Sequence, residues 1–141
     1  HPTDFSRASR PAFKRAVEMA KDRRAQLFIV HVLAPAVPMM TGDGYVSPTV
    51  YEDMEAAARA GAQKQLWRLA EQAKRSGVRA RPILLEGIAH ERIAQAARSR
   101  KADLVVIGTH GRTGFARFFL GSVASRVLAI APCPVLTVRG R

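Results

Sequence analysis

The stretch Gln26-Leu-Phe-Ile-Val-His-Val-Leu33 decides the fold, because its apolar residues run almost without interruption instead of alternating. A strand with one wet face alternates. A strand covered on both faces reads as a nearly continuous run, as in a parallel sheet carrying helices on either side. Toward the start of the chain, Ala12, Phe13, Ala16, Val17 and Ala20 recur at spacings of three and four, a helical period. Pro11 is tolerated only in a first turn, so regular helix is expected from near Ser9, with Ser6 or Ser9 as the cap.

Toward the C-terminus, residues from Ala34 to Tyr51 are rich in Pro, Gly and Met and read as a long functional loop. A helix is expected over Glu52–Ser76, with Met54, Ala58, Leu66, Leu69 and Ala73 on one side and Gly77 as its C-terminal cap. Val78–Glu86 then reads as a strand and Ile88–Arg100 as a helix with Ile93, Ala96 and Ala97 inward. Asp103–Gly108 is a short buried strand, Gly108–Leu120 a glycine-containing loop, Ser122–Ala131 a helix, and Pro132–Val138 the closing strand.

This α-β-α-β-α-β-α-β order predicts one α/β domain over residues 1–141. Its architecture is a doubly wound open sheet, mostly parallel, with helices on both faces. Ligands of such sheets sit beyond the C-terminal ends of the strands. A strand is expected before the first helix, yet only His1-Pro2-Thr3 precede the turn at Asp4. The first strand is therefore expected to be missing from this sequence, as roughly five to ten apolar, β-branched residues upstream. Otherwise another segment or a neighbouring chain fills the central slot.

Twenty-three Lys and Arg against eleven acids give a net charge of +12, a field that attracts nucleotides and other polyanions. The basic residues are spread from Arg7 to Arg141, however, and the 6% of aromatic residues do not interleave with them as a nucleic-acid stacking platform requires. Cys133 is the single cysteine, so no internal disulfide forms, which fits a reducing, cytoplasmic compartment. No stretch approaches the roughly 20 apolar residues of a membrane span.

The chemistry concentrates in Gly108-Thr-His-Gly111-Arg-Thr-Gly-Phe-Ala-Arg-Phe-Phe-Leu-Gly121-Ser122, between a buried strand and a helix. Its glycines let backbone approach a ligand closely. The amides of Gly121, Ser122 and Val123 fall at a helix N-terminus, where unpaired N–H groups and the helix dipole favour phosphate. The Ser122 hydroxyl either caps that helix or donates to a phosphate oxygen.

The spacing Gly108-x2-Gly111-x9-Gly121-Ser122 resembles the nucleotide-binding signature of the ATP-binding branch of the universal stress protein family. Ala102–Gly114, Leu120–Leu128 and Pro132–Val138 resemble that family's last two strands and the loop and helix between them. Pro2–Ser6 resembles its first loop, so the likeness spans the chain. The resemblance implies a stress-response or signalling module binding ATP, AMP or ADP, with Mg2+ carried on the nucleotide. It implies that Pro2, Thr3 and Asp4 meet the adenine or ribose and that Val32 lines the base pocket. Ile107 and Gly108 flank the nucleoside, while Gly111, Gly121, Ser122 and Val123 hold the phosphates. Ala124 stands where several members carry a hydroxyl residue. The resemblance also implies a homodimer through strand 134–138.

Other residues carry less. His110 has no second His or Cys near it in sequence, and His31 reads as a satisfied core histidine. Arg112 and Arg117 either clamp phosphate or face solvent. Glu86, Glu91 and Asp103 read as helix-start or strand-end charges. Residues 108–122 contain no Asp or Glu, so hydrolysis is expected to be slow or absent. A slow ATPase or nucleotide-transferring enzyme, or a basic polyanion-binding protein, remain the rival readings.

Overall fold

The computed structural model describes residues 1–35, 48–109 and 120–140. A 3-10 turn, Arg7–Ser9, leads into α1 (Arg10–Asp22), followed by β1 (Gln26–Leu33), α2 (Pro48–Arg75), β2 (Arg79–Glu86), α3 (Ala89–Ser99), β3 (Val105–Gly108), α4 (Ser122–Ile130) and β4 (Val135–Val138). All strand pairings are parallel: β1 with β2 in register Gln26 to Arg79, and β3 with β4 in register Val105 to Val135.

The two pairs are joined by the start of the chain. Pro2 bridges Val30 in parallel, the Val30 N–H donates to His1 O at 2.9 Å, and the Thr3 N–H donates to Val30 O at 2.8 Å. On the other side, His1 Nδ1 donates to the Val106 carbonyl oxygen at 2.9 Å. Residues 1–3 therefore lie between β1 and β3, giving the spatial order β2, β1, residues 1–3, β3, β4. On the N-terminal side of His1, between the starts of β1 and β3, runs a cleft of about 840 Å³ whose walls include Leu27, Phe28, Val105 and Val106.

Helices cover both faces. Phe13, Ala16 and Ala20 of α1 and Leu66, Ala70 and Ala73 of α2 pack on Leu27, Ile29, Ala80 and Val106. Opposite them, Ile93 and Ala97 of α3 and Ala124 and Val127 of α4 pack on Val105 and Ile107. Adjacent residues of β3 thus serve opposite faces, which is why Val105–Gly108 has no polar position. Pro82 lies in β2, an edge strand, where proline is tolerated.

Several details differ from expectation. α2 begins at Pro48 rather than Glu52, consistent with the preference of proline for a first turn. Its first half is not core: Met54 is 66% exposed, and the buried side starts at Ala62. In α3 the inward residues are Ile93, Ala94 and Ala97, not Ala96. β3 begins at Val105, two residues after Asp103. Gly77 closes α2 as expected, at φ +84°, in the left-handed region that favours glycine. Residues 36–47 of the expected loop lie outside the described residues. No helix among the described residues is long and apolar enough to cross a membrane.

Candidate functional site

At the C-terminal ends of β1, residues 1–3 and β3 the sheet opens into a cleft of about 320 Å³. This is where strand order reverses, the position at which doubly wound sheets bind ligands. Its volume falls at the small end of the roughly 300–1,000 Å³ typical of ligand pockets. Pro2, Thr3, Asp4, Val32, Ile107, Gly108, Gly121, Ser122 and Val123 all line it. Gly111 lies outside the described residues, as do His110, Arg112 and Arg117.

The first wall is a tight turn built by short polar side chains. Thr3 Oγ1 accepts from the Phe5 N–H at 3.1 Å, and Asp4 Oδ1 accepts from the Ser6 N–H at 3.0 Å. The Ser9 hydroxyl donates to Ser6 O at 2.8 Å, so the Thr3 hydroxyl, 3.2 Å away, is the donor to Ser9 Oγ. Phe5 adopts φ +64°, a left-handed conformation that costs a bulky residue about 1–3 kcal/mol. Two contacts to His31 oppose that cost. Its ring lies 4.3 Å from the Phe5 ring, and its Nδ1 donates to Thr3 O at 2.7 Å.

The second wall is the junction of β3 and α4. The Thr109 N–H donates to Val138 O at 2.9 Å, and the Gly121 N–H donates to Thr109 O at 2.7 Å. The Gly121 amide is thus already engaged, and the expectation that it faces phosphate is corrected. Gly121 is instead the N-terminal cap of α4, and among the described residues no side chain caps that helix. The Ser122 hydroxyl therefore does not serve as the cap. The first intrahelical bond runs from the Ser125 N–H to Gly121 O at 2.9 Å. The amides of Ser122, Val123 and Ala124 have no acceptor within the helix. All three residues line the cleft.

Asp4 is the one Asp or Glu lining the cleft among the described residues, and no Lys or Arg lines it there. Among the described residues, the positive field at this wall comes from the helix terminus. Among the described residues no group of three or more His, Cys, Asp and Glu could hold a metal ion. Sequence reasoning missed Ser9, Val30, His31, Ala89, Ile93 and Thr109 as lining residues. Thr109 was legible from its place beside Gly108. The others reach the cleft through packing that sequence neighbours do not reveal.

These features define a class: an α/β protein with a ligand cleft at the sheet's switch point, walled by an acidic turn and an uncapped helix N-terminus. The chain belongs to the universal stress protein family, whose profile matches residues 1–139. It is 36% identical over 140 residues to a universal stress protein of Methanocaldococcus jannaschii, covering 98% of this chain and 79% of that one. The fold is similar to that of the universal stress protein UspA from Lactobacillus plantarum, at TM-score 0.81 and 26% identity, covering 98% of this chain and 94% of that one. It is also similar to the universal stress protein from Archaeoglobus fulgidus in complex with dAMP, at TM-score 0.64 and 25% identity, covering 97% and 91%.

Proposed function

We propose that this cleft binds an adenine nucleotide, with ATP the physiological ligand, and that occupancy sets the state of a stress-response or signalling module. One observation carries the reading. The first-turn residues Ser122, Val123 and Ala124 of α4, whose amides have no acceptor within the helix, line the same cleft as Asp4, so the cleft joins an anion-favouring helix end to a hydroxyl-accepting carboxylate. Asp4 receives the ribose or adenine edge, while Val32, Ile107 and Gly108 enclose the nucleoside. Ser122 and Val123 hold phosphate through backbone N–H groups, and Gly121 keeps the approach open. Pro2 and Thr3 form the floor, and the family's glycine signature adds Gly111, outside the described residues, as a phosphate contact. The dAMP complex of the Archaeoglobus fulgidus relative supports an adenine nucleotide as the ligand class.

Mg2+ arrives with the nucleotide rather than in a protein site. Residues 108–122 supply no carboxylate as a base or metal ligand, so the site holds a nucleotide more readily than it cleaves one. The protein acts in the cytoplasm as a homodimer joined through β4, whose outer edge has no strand beside it among the described residues. The apolar residues Val123, Leu128 and Ile130 of the adjoining α4 are exposed. Isothermal titration with AMP, ADP and ATP tests the reading. Saturable binding of one nucleotide per chain is expected, and absence of binding to all three contradicts it.

A further inference from the structure

We propose that His31 is the positioning residue that orients Asp4 over the cleft. The role in nucleotide affinity rests on the function proposed above; the role in loop geometry does not. The geometry starts from the Thr3–Asp4 peptide. The Thr3 N–H is fixed to Val30 O by sheet pairing at 2.8 Å, but that bond leaves the following carbonyl free to rotate. His31 Nδ1 stops the rotation by donating to Thr3 O at 2.7 Å.

Because a carbonyl oxygen only accepts, Nδ1 must carry the proton, which fixes the tautomer. His31 is buried in β1 and the strand holds its backbone, so the donor cannot drift. Phe5, on the other side of Asp4, packs its ring 4.3 Å from the same imidazole while held at φ +64°. A strained conformation persists only where its surroundings over-determine it. One imidazole thus secures both residues flanking Asp4, and His31, Thr3 and Asp4 line the same cleft.

The test separates a hydrogen-bonding role from a packing role. His31→Leu keeps an apolar side chain of similar reach and removes the donor. His31→Asn carries an N–H donor the same number of bonds from Cβ. In nucleotide-free protein, hydrogen exchange at the Phe5 and Ser6 amides reports the turn, because their acceptors are Thr3 Oγ1 and Asp4 Oδ1. His31→Leu is expected to accelerate exchange there by about tenfold or more while α3 and α4 are unchanged, and His31→Asn to restore protection. Wild-type protection at both amides in His31→Leu would overturn the proposal; His31→Ala gives the same reading if the leucine variant does not fold. AMP affinity is expected to fall about tenfold or more in His31→Leu and to recover in His31→Asn. Unchanged AMP affinity in His31→Leu likewise counts against the role. If the wild type binds no AMP, the nucleotide reading fails, and amide exchange still decides what His31 does.

Discussion

The Gly121 N–H donates to the Thr109 carbonyl across 2.7 Å, joining the end of β3 to the start of α4. Thr109 is itself tied to β4, through its N–H to Val138 O at 2.9 Å. The two residues flank positions 110–120, so this pair of bonds sets where the first turn of α4 faces, whatever ligand arrives there.

That clasp makes Gly121→Val an informative substitution. Gly121 sits at φ −58°, ψ 149°, a conformation open to any residue, and valine keeps the N–H that Thr109 needs. Folding should survive, and the added side chain should obstruct the approach to the amides of Ser122 and Val123. AMP and ATP affinity by calorimetry is expected to drop at least about tenfold, or about 1.4 kcal/mol. Wild-type affinity in this variant would remove Gly121 from the site.

How much of this was legible in the chain depended on the element. Residues 26–33 and 105–108 announced a parallel sheet because burial on both faces leaves no polar alternation to confuse with another period. α1 was legible from the spacing of Ala12, Phe13, Ala16 and Ala20, all buried. Met54 misled, since an apolar residue in phase with a helix need not meet anything; the first turns of α2 extend past the packed face. The acceptor of the Gly121 amide, the Thr109 carbonyl, is not legible in the sequence, because nothing in the glycine spacing places the end of β3 beside the start of α4. Sequence spacing signalled the glycine and not the acceptor. His31 was read as a core histidine, which it is, but its partner Thr3 lies 28 residues away and could not be seen in sequence.

Gly77 tests the end of α2. At φ +84° with nothing within 4 Å of an added Cβ, alanine there meets backbone strain and no clash. Gly77→Ala should destabilise by about 1–2 kcal/mol in urea unfolding, and Gly77→Asn by less, because asparagine tolerates this region better. Equal stability of alanine and glycine at this position would refute the cap.

The dimer proposal makes a backbone-level prediction. Val105 N–H donates to Pro134 O and Thr109 N–H to Val138 O, so even-numbered residues of β4 pair inward with β3. In a parallel strand the alternate residues turn both backbone groups to the other side, which puts the Thr137 N–H on the open edge. Thr137→Pro removes that donor and leaves the pairing with β3 intact. Sedimentation at micromolar concentration should show dimer for the wild type and monomer for the variant. A wild type that sediments only as monomer would end the proposal.

Cys133 gives a pH-dependent prediction. Burial, and then the Asp103 carboxylate, raise its thiol pKa above the ordinary value. The folded chain therefore holds the thiol proton more tightly than the unfolded chain does. Its stabilising contribution is complete below the unfolded thiol pKa of about 8.5 and is lost as pH rises through the folded value. Reaction with a disulfide reagent at neutral pH should be slower in native than in urea-unfolded protein, and Asp103→Asn should speed the native reaction. Equal native and unfolded rates would contradict this assignment.

The central claim is that the cleft between Asp4 and the first turn of α4 selects an adenine nucleotide, rather than the +12 charge attracting any polyanion. Calorimetric titration of ATP against a short single-stranded oligonucleotide lacking adenine, each at low and at physiological salt, separates the two most directly. Charge-driven binding weakens steeply as salt rises, because counterion release drives it. The account predicts saturable ATP binding at one per chain that persists at physiological salt, while oligonucleotide binding fades. ATP binding that disappears in parallel with the oligonucleotide, or that never saturates, would contradict it.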